Sequence, residues 1–300
     1  MEPIRLLRGQ PVAARILDDA THRAAALIAR GVRPGLALVS IGDDPASEIY
    51  LERKKSQGER CGIAVTTLGF PAGAPHRRVF EALGALAADP AVHGVLVQMP
   101  LPAGWPSQEL LLAVPPAKDV DGFHPENLGR LALGLPGFVA CTPLGILRLL
   151  QDAAVPLAGR RITVVGRSSI VGTPMALLLS RKGVDATVTV AHSRTPDLAA
   201  VCGEADVLVV AMGVPRAIGR EHVKPGAVVI DVGIHRVPER QSDGTTHMRL
   251  VGDVRAEELA GHAAAVSPVP GGVGPLTVAC LMSNTIDAAE RAAGVPETTA

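Results

Sequence analysis

Hydrophobic positions along the first hundred residues change period several times. Apolar residues at helical spacing over residues 12–29, with charges between them, predict an amphipathic helix. Residues 36–41 form a short apolar run, which Gly42, Asp43, Asp44 and Pro45 break. Asp44 as N-cap and Pro45 at the first helical position predict a second helix, running to about Arg60. A strand over 63–69, a helix over 77–88 and a strand over 92–99 follow. Strands alternating with helices predict a parallel sheet with helical crossovers.

Residues 100–143 are rich in Pro and Gly and read as loops, and 144–152 resume a helical period as an interdomain helix. A second series begins at Arg161: strands over 162–165, 186–191, 207–211 and 227–232, with a helix over 171–182. These Val-rich runs suit strands buried on both faces of a parallel sheet. Residues 268–275 carry too much Pro and Gly for regular structure, and 276–293 read as a closing helix. Neither a solenoid-length repeat nor a low-complexity tail is visible. A chain of 300 residues is long for one core, so the expectation is an α/β protein of two domains.

Composition narrows the function classes. Apolar residues make up 47% and charged ones 19%, which suits a folded, soluble chain. The 29 basic and 29 acidic residues cancel, so no general attraction to nucleic acid or an anionic membrane is expected, although a local basic pocket stays possible. Aromatics at 2% make the core aliphatic and leave little for base stacking. Cys61, Cys141, Cys202 and Cys280 are far apart and form no metal-ligand cluster, so reduced thiols are expected, with no metal and no disulfide framework. The first ten residues lack a secretory signal, and Asp18 and Asp19 argue against a transit peptide. With no apolar run of spanning length, the expected compartment is the cytoplasm.

Several segments carry candidate chemistry. Gly166-Arg167-Ser168-Ser169-Ile170-Val171-Gly172 joins a predicted strand to a predicted helix, where an open parallel sheet binds a nucleotide. Glycines admit phosphate, and helix N-terminal amides attract it; the alternative is a plain strand-to-helix turn. Beyond the next strand stand His192, Ser193 and Arg194, with no acid to hold a ribose hydroxyl. Arg167, Ser193 and Arg194 suit a 2′-phosphate, which favours NADP over NAD, unless the arginines are merely solvated. His192 is read as a local hydrogen-bond partner. Tyr50, the only tyrosine, and Lys54 share a helix face, with Ser47 about a turn before. Lys54 acts as a base only if burial or nearby positive charge lowers its pKa; the bland reading is an exposed helix face. Gln98 ends a strand at the usual ligand edge, or caps a loop. Asp119 and Asp121 offer carboxylates to an amino-pyrimidine edge, to a turn, or to a metal that no further clustered ligands support.

Taken in order, these segments resemble the bifunctional methylenetetrahydrofolate dehydrogenase/cyclohydrolase (FolD) family. The matching stretches are residues 42–50 with Lys54, 97–102, 118–125, 141–143, 166–172, 192–195, 231–233 and 268–275. The resemblance implies two α/β domains around a cleft, the second Rossmann-like with helices on both faces of a parallel sheet. It implies a folate-binding domain over 1–142 plus 277–300 and an NADP-binding domain over 143–276. Lys54, Gln98, Asp121 and Tyr50 would be catalytic. Tyr50, Ser47, Gln98, Asp121, Pro268, Gly271 and Gly272 would bind substrate. Gly166, Arg167, Ser168, Ile170, Val171, Gly172, Ser193, Arg194 and Ile234 would bind NADP. Tetrahydrofolate one-carbon derivatives as substrates, and a homodimer, are also implied. Two departures, Ser267 where the family usually has Thr and Leu276 where it has Met, keep the hydroxyl and nearly the volume. A dehydrogenase without cyclohydrolase activity, another two-domain dehydrogenase such as one acting on shikimate-like acids, and a non-catalytic folate- or nucleotide-binding protein are the rival readings.

Overall fold

The computed structural model describes residues 4–240 and 245–295, with the side chains of 45–47 outside that description. In chain order the first elements are β1 (Arg5–Leu6), α1 (Gly9–Ala29), β2 (Gly35–Ile41), α2 (Pro45–Arg60), β3 (Ala64–Phe70), α3 (His76–Ala88) and β4 (Gly94–Val97). Then come α4 (Ser107–Leu112), α5 (Pro125–Leu133), α6 (Cys141–Asp152), β5 (Arg161–Val165), α7 (Gly172–Ser180), β6 (Thr187–Ala191), α8 (Leu198–Cys202) and β7 (Val207–Val210). The chain closes with β8 (Val228–Asp231), β9 (His235–Arg240), β10 (Thr246–Val251), β11 (Ala265–Val266) and α9 (Gly274–Ala292).

Two compact units emerge. One comprises Ala13–Cys141 and Val278–Ala300, the other Met1–Val12 and Thr142–Thr277. The first is built on a three-stranded parallel sheet in the order β3-β2-β4. Strands β2 and β4 are buried on both faces, as their unbroken apolar runs require. Val39, Val97, Phe70, Val79 and Leu83 form part of its apolar core.

The second unit holds a six-stranded parallel sheet in the order β1-β11-β8-β7-β5-β6, plus the separate antiparallel hairpin β9–β10. Val165, Val210, Val229 and Val266 help fill its core. This is an α/β fold with a parallel sheet in each unit, as the alternation of runs predicts, and the second unit is Rossmann-like, as the resemblance implies.

Two expectations need correction. Residues 1–12 group with the nucleotide unit, not with the first domain, because β1 pairs in parallel with β11, Arg5 beside Ala265. The segment 100–143 is not all loop either, since it holds α4 and α5. Helix α5 is fixed by its ends: Pro125 opens it, the His124 side chain accepts the Glu126 N–H, and Gly134 stops it in the left-handed region at φ 68.

Candidate active site

Helix α2 follows a turn at Gly42, where φ is +89 and the N–H bonds Phe70 O at 2.8 Å. A left-handed φ favours glycine there. The helix sets Tyr50 and Lys54 one turn apart on one face. Ser47 lies on the same helix, among the positions whose side chains lie outside the described structure. Tyr50 is half-buried, and Lys54 keeps only 9% of its surface exposed.

Lys54 Nζ donates to Gln98 Oε1 at 2.9 Å. Gln98 extends β4, its N–H bonding Val39 O, and its Nε2 donates to Met99 O at 2.5 Å. That second bond turns the amide so that its oxygen faces the lysine. Burial lowers the Lys54 pKa from 10.5, while Asp121 and Cys141 pull it up. Burial raises the Asp121 pKa, and Lys54 and a hydrogen bond with Cys141 oppose that. A cavity of about 290 Å³ opens beside Gln98, lined also by Ser40, Gly42, Asp43, Phe70 and Pro71. It lies at the C-terminal ends of β2, β3 and β4, the ligand edge of a parallel sheet.

The structure separates the two carboxylates that the sequence left open. Asp119 is buried and consumed by its own turn: it accepts N–H bonds from Phe123 (3.1 Å) and His124 (2.8 Å), and one from Asn127 Nδ2 (2.8 Å). Burial still raises its pKa to about 6. Asp121 is the carboxylate that interacts with Lys54. Gly122 follows it at φ +75, where a Cβ would lie 2.5 Å from Ala140 N. Two residues went unassigned by sequence reasoning. Cys141, given no role of its own by sequence reasoning, donates its thiol to Val120 O, and its backbone N–H donates to Asp121 O. Asn284, a lone amide on the apolar face of α9, donates to Val120 O at 2.8 Å and Val139 O at 3.2 Å. A run of three polar residues, Ser283, Asn284 and Thr285, in an otherwise apolar helix is the signal that could have flagged it.

In the nucleotide unit, β5 runs into Gly166, with φ +124. A Cβ there would lie 2.1 Å from Ala211 O, and one on Gly172 would lie 2.2 Å from Gly166 O. Only glycines leave this cradle open at the start of α7. Ser168 Oγ accepts the N–H groups of Val171 and Gly172. Arg167, Ser168, Ser193 and Arg194 are exposed, Ile170 and Val171 half-buried. His192 Nδ1 accepts the Arg194 N–H at 3.2 Å, the local role expected of it. A phosphate cradle with two exposed guanidiniums and no competing acid at 192–195 fits a dinucleotide carrying an extra phosphate.

The 268–275 loop is also in this unit. Gly271 has φ +100 and its carbonyl accepts the Gly9 N–H at 2.9 Å. Gly272 is buried, and a Cβ there would lie 2.6 Å from Pro268 O. Ser267 uses its hydroxyl on the Asp231 N–H at 2.8 Å. The structure therefore gathers Lys54, Gln98 and Asp121 in one unit, while Pro268, Gly271, Gly272 and the glycine loop belong to the other. Among the described residues no cluster of His, Cys, Asp and Glu could hold a metal ion.

Two family models match the chain: the tetrahydrofolate dehydrogenase/cyclohydrolase catalytic domain over residues 7–121, and the NAD(P)-binding domain of the same family over 140–293. The chain belongs to the tetrahydrofolate dehydrogenase/cyclohydrolase family. It is 49% identical over 292 residues to the bifunctional protein FolD of Treponema pallidum, covering 97% of this chain and 92% of that one. Among solved structures it is similar to the FolD enzyme of Campylobacter jejuni, with TM-score 0.88, 37% identity and coverage of 96% and 99%. It is also similar to the FolD of Trypanosoma brucei complexed with NADP and an inhibitor, with TM-score 0.91, 35% identity and coverage of 98% and 99%. As a FolD-family member it is a bifunctional dehydrogenase/cyclohydrolase of one-carbon folate metabolism, and its Rossmann-like unit is the NAD(P)-binding domain. No helix of the described residues is long and apolar enough to cross a membrane.

Proposed function

We propose that the chain oxidises 5,10-methylenetetrahydrofolate with NADP and hydrolyses the methenyl product to 10-formyltetrahydrofolate, with Lys54 as the proton-handling group. The observation that carries this reading is a buried lysine, depressed in pKa and held by Gln98, with Asp121 close enough to bias its charge. The bound nicotinamide supplies a hydride acceptor for the carbon bridging N5 and N10. Gly166 and Gly172 admit the pyrophosphate, Ser168, Ile170 and Val171 line its path, Ile234 meets the nicotinamide half, and Arg167, Ser193 and Arg194 pair with the 2′-phosphate. Tyr50 aligns the folate ring, with Ser47 beside it on α2, and Asp121 accepts N–H bonds from its amino-pyrimidine edge. Pro268, Gly271 and Gly272 offer close backbone approach to a flat ring.

In the hydrolytic step water bonds to the methenyl carbon and gives a proton to the Lys54 amine. The carbon–N5 bond then breaks as that proton passes to N5, and the remaining hydroxyl proton leaves to the Lys54 amine, and from there to solvent, as the formyl C=O forms. The methenyl cation adds positive charge, which by itself favours the neutral amine. Gln98 Oε1 fixes the direction of Nζ. The reading includes a homodimer, for which the β9–β10 hairpin, paired with no other strand among the described residues and carrying Met248 at 60% exposure, is a candidate surface. Four buried cysteine thiols suit a reducing cytoplasm.

The test is turnover of methylenetetrahydrofolate by the full chain, comparing NADP with NAD, with methenyl decay followed separately. Lys54→Met should slow methenyl decay by about 10²-fold or more while NADP still binds. Undiminished ring opening in that variant would remove Lys54 from the mechanism. Reduction of NADP without accelerated decay in the wild type would leave a dehydrogenase only.

A further inference from the structure

The nucleotide unit holds a buried carboxylate that neither the glycine loop nor the basic residues account for. Asp253 is 0% exposed and lies just past β10. Its Oδ2 accepts the N–H groups of Met212 at 2.8 Å and Gly213 at 3.0 Å, immediately beyond β7. Its Oδ1 lies 2.7 Å from His235 Nε2 at the start of β9. A second buried carboxylate, Asp231 at the end of β8, holds Asp253 in turn. It accepts N–H bonds from Gly233 (3.0 Å), Asp253 (2.9 Å) and Val254 (3.0 Å). Glycine is required at both approaches. A Cβ on Gly252 would fall 1.8 Å from Asp231 Oδ2, and one on Gly233 would fall 2.4 Å from Asp253 Oδ1.

The two carboxylates thus staple together the segments that follow β7 and β8. Those strands neighbour β5 in the order β8-β7-β5, and β5 delivers Gly166, packed against Ala211. In a doubly wound sheet a dinucleotide crosses the C-terminal strand ends, with its adenosine half on the first βαβ unit, here β5–α7–β6. The nicotinamide half then falls toward β7 and β8, where Met212, Gly213 and Ile234 stand. Ile234 is 47% exposed and is flanked by Gly233, bonded to Asp231, and His235, bonded to Asp253. Of the three groups on the Asp253 carboxylate, His235 alone is a side chain, and its ring keeps 20% of its surface in solvent. It is the removable part of the staple, and its loss leaves a buried oxygen without a donor.

We propose that His235 is a positioning residue for the nicotinamide half of the cofactor: by capping Asp253 it holds Met212, Gly213 and Ile234 where that half must lie. This rests on the reading of the unit as NADP-binding and assigns it a further residue. The two activities separate the consequences. Hydride transfer needs the cofactor; ring opening at Lys54 does not.

The experiment uses the full chain as wild type, His235→Ala and His235→Asn. The KM for NADP, the dehydrogenase kcat, methenyl decay without cofactor and the melting temperature are measured for each. His235→Ala should raise the KM for NADP about tenfold, with methenyl decay within about twofold of wild type. His235→Asn, which restores an N–H donor, should bring the KM back to within about threefold. An unchanged KM in His235→Ala would overturn the proposal. So would a parallel fall of both activities with the melting temperature, or a loss that asparagine does not relieve. A wild type that cannot reduce NADP with the methylene compound would instead sink the activity on which the proposal rests.

Discussion

Burial disfavours a charge at Lys54, while the Asp121 carboxylate favours one. Removing that carboxylate leaves burial less opposed, so the Lys54 pKa should fall further. In Asp121→Asn the limb of the hydrolytic kcat–pH profile that reports Lys54 should therefore move to lower pH. Measuring kcat at saturating methenyl substrate separates this shift from weakened ring binding. A limb that stays put, or moves to higher pH, would show that Asp121 does not set the charge on Lys54. The placement of Tyr50 and Lys54 on one helix face and of Gln98 at a strand end was legible because each sits in a short contiguous stretch with its own turn or strand-end signal; roles for them came only with the family resemblance. From spacing and composition the choice between Asp119 and Asp121 was not legible; only the resemblance pointed to Asp121. Two carboxylates two residues apart look alike until the turn closes and Phe123, His124 and Asn127 claim one of them.

The element that carries the cofactor cradle depends on a backbone conformation. Gly166→Ala would place a methyl 2.1 Å from Ala211 O at a φ of +124. The β5–α7 turn must open, so NADP binding should fall sharply, with a stability loss of about 2 kcal/mol or more in urea unfolding. Normal NADP affinity in a folded Gly166→Ala protein would contradict the assignment of this loop. Helix α9 supplies a second case. Asn284→Leu removes two donors from the carbonyls of Val120 and Val139, which belong to the turn that presents Asp121 and the segment packed against it. It should cost about 2–4 kcal/mol, and raise the KM for folate substrate more than it raises that for NADP. Helices α4 and α5 escaped the sequence reading because each is short and the Pro and Gly around them read as loop. Pro125 and Gly134 in fact mark the two ends of α5. Trp105, without a role in the sequence, packs its ring 4.3 Å from His76 and donates to Ala72 O, tying two loops together.

At the scale of the molecule, chain order and unit membership diverge. Leu7 is buried and its N–H bonds Val266 O at 2.9 Å. Deleting residues 1–8 should remove the edge strand and cost about 2–4 kcal/mol, which lowers the melting temperature by about 5–15 °C. A truncated chain that melts with the wild type would show that β1 is dispensable. Buried carboxyls add a pH dependence. Asp119 and Asp231 both rise from 3.8 to about 6, chiefly through desolvation. Between those values the folded state binds more protons than the unfolded chain. Their contribution to stability is therefore greatest below the unfolded pKa and is lost as pH rises through about 6. Carbon-detected NMR of the aspartate carboxyls should show at least two of them titrating near 6. All of them titrating below 4.5 would refute it.

Short-range features are written in the chain itself: the period of each run, the glycines that permit a left-handed turn, the proline that starts α2 and the one-turn spacing of Tyr50 and Lys54. Those depend on local sterics and on burial of one face, which neighbouring residues specify. Long-range packing settled the rest: β1 completes the sheet beside β11, Asp119 is spent on its own turn while Asp121 is left to act on the lysine, and His235 caps Asp253. Each of those is a hydrogen bond or charge contact between groups set by how the chain closes on itself. Which donor a buried acceptor finds follows from the packed arrangement, because burial leaves water unable to take its place.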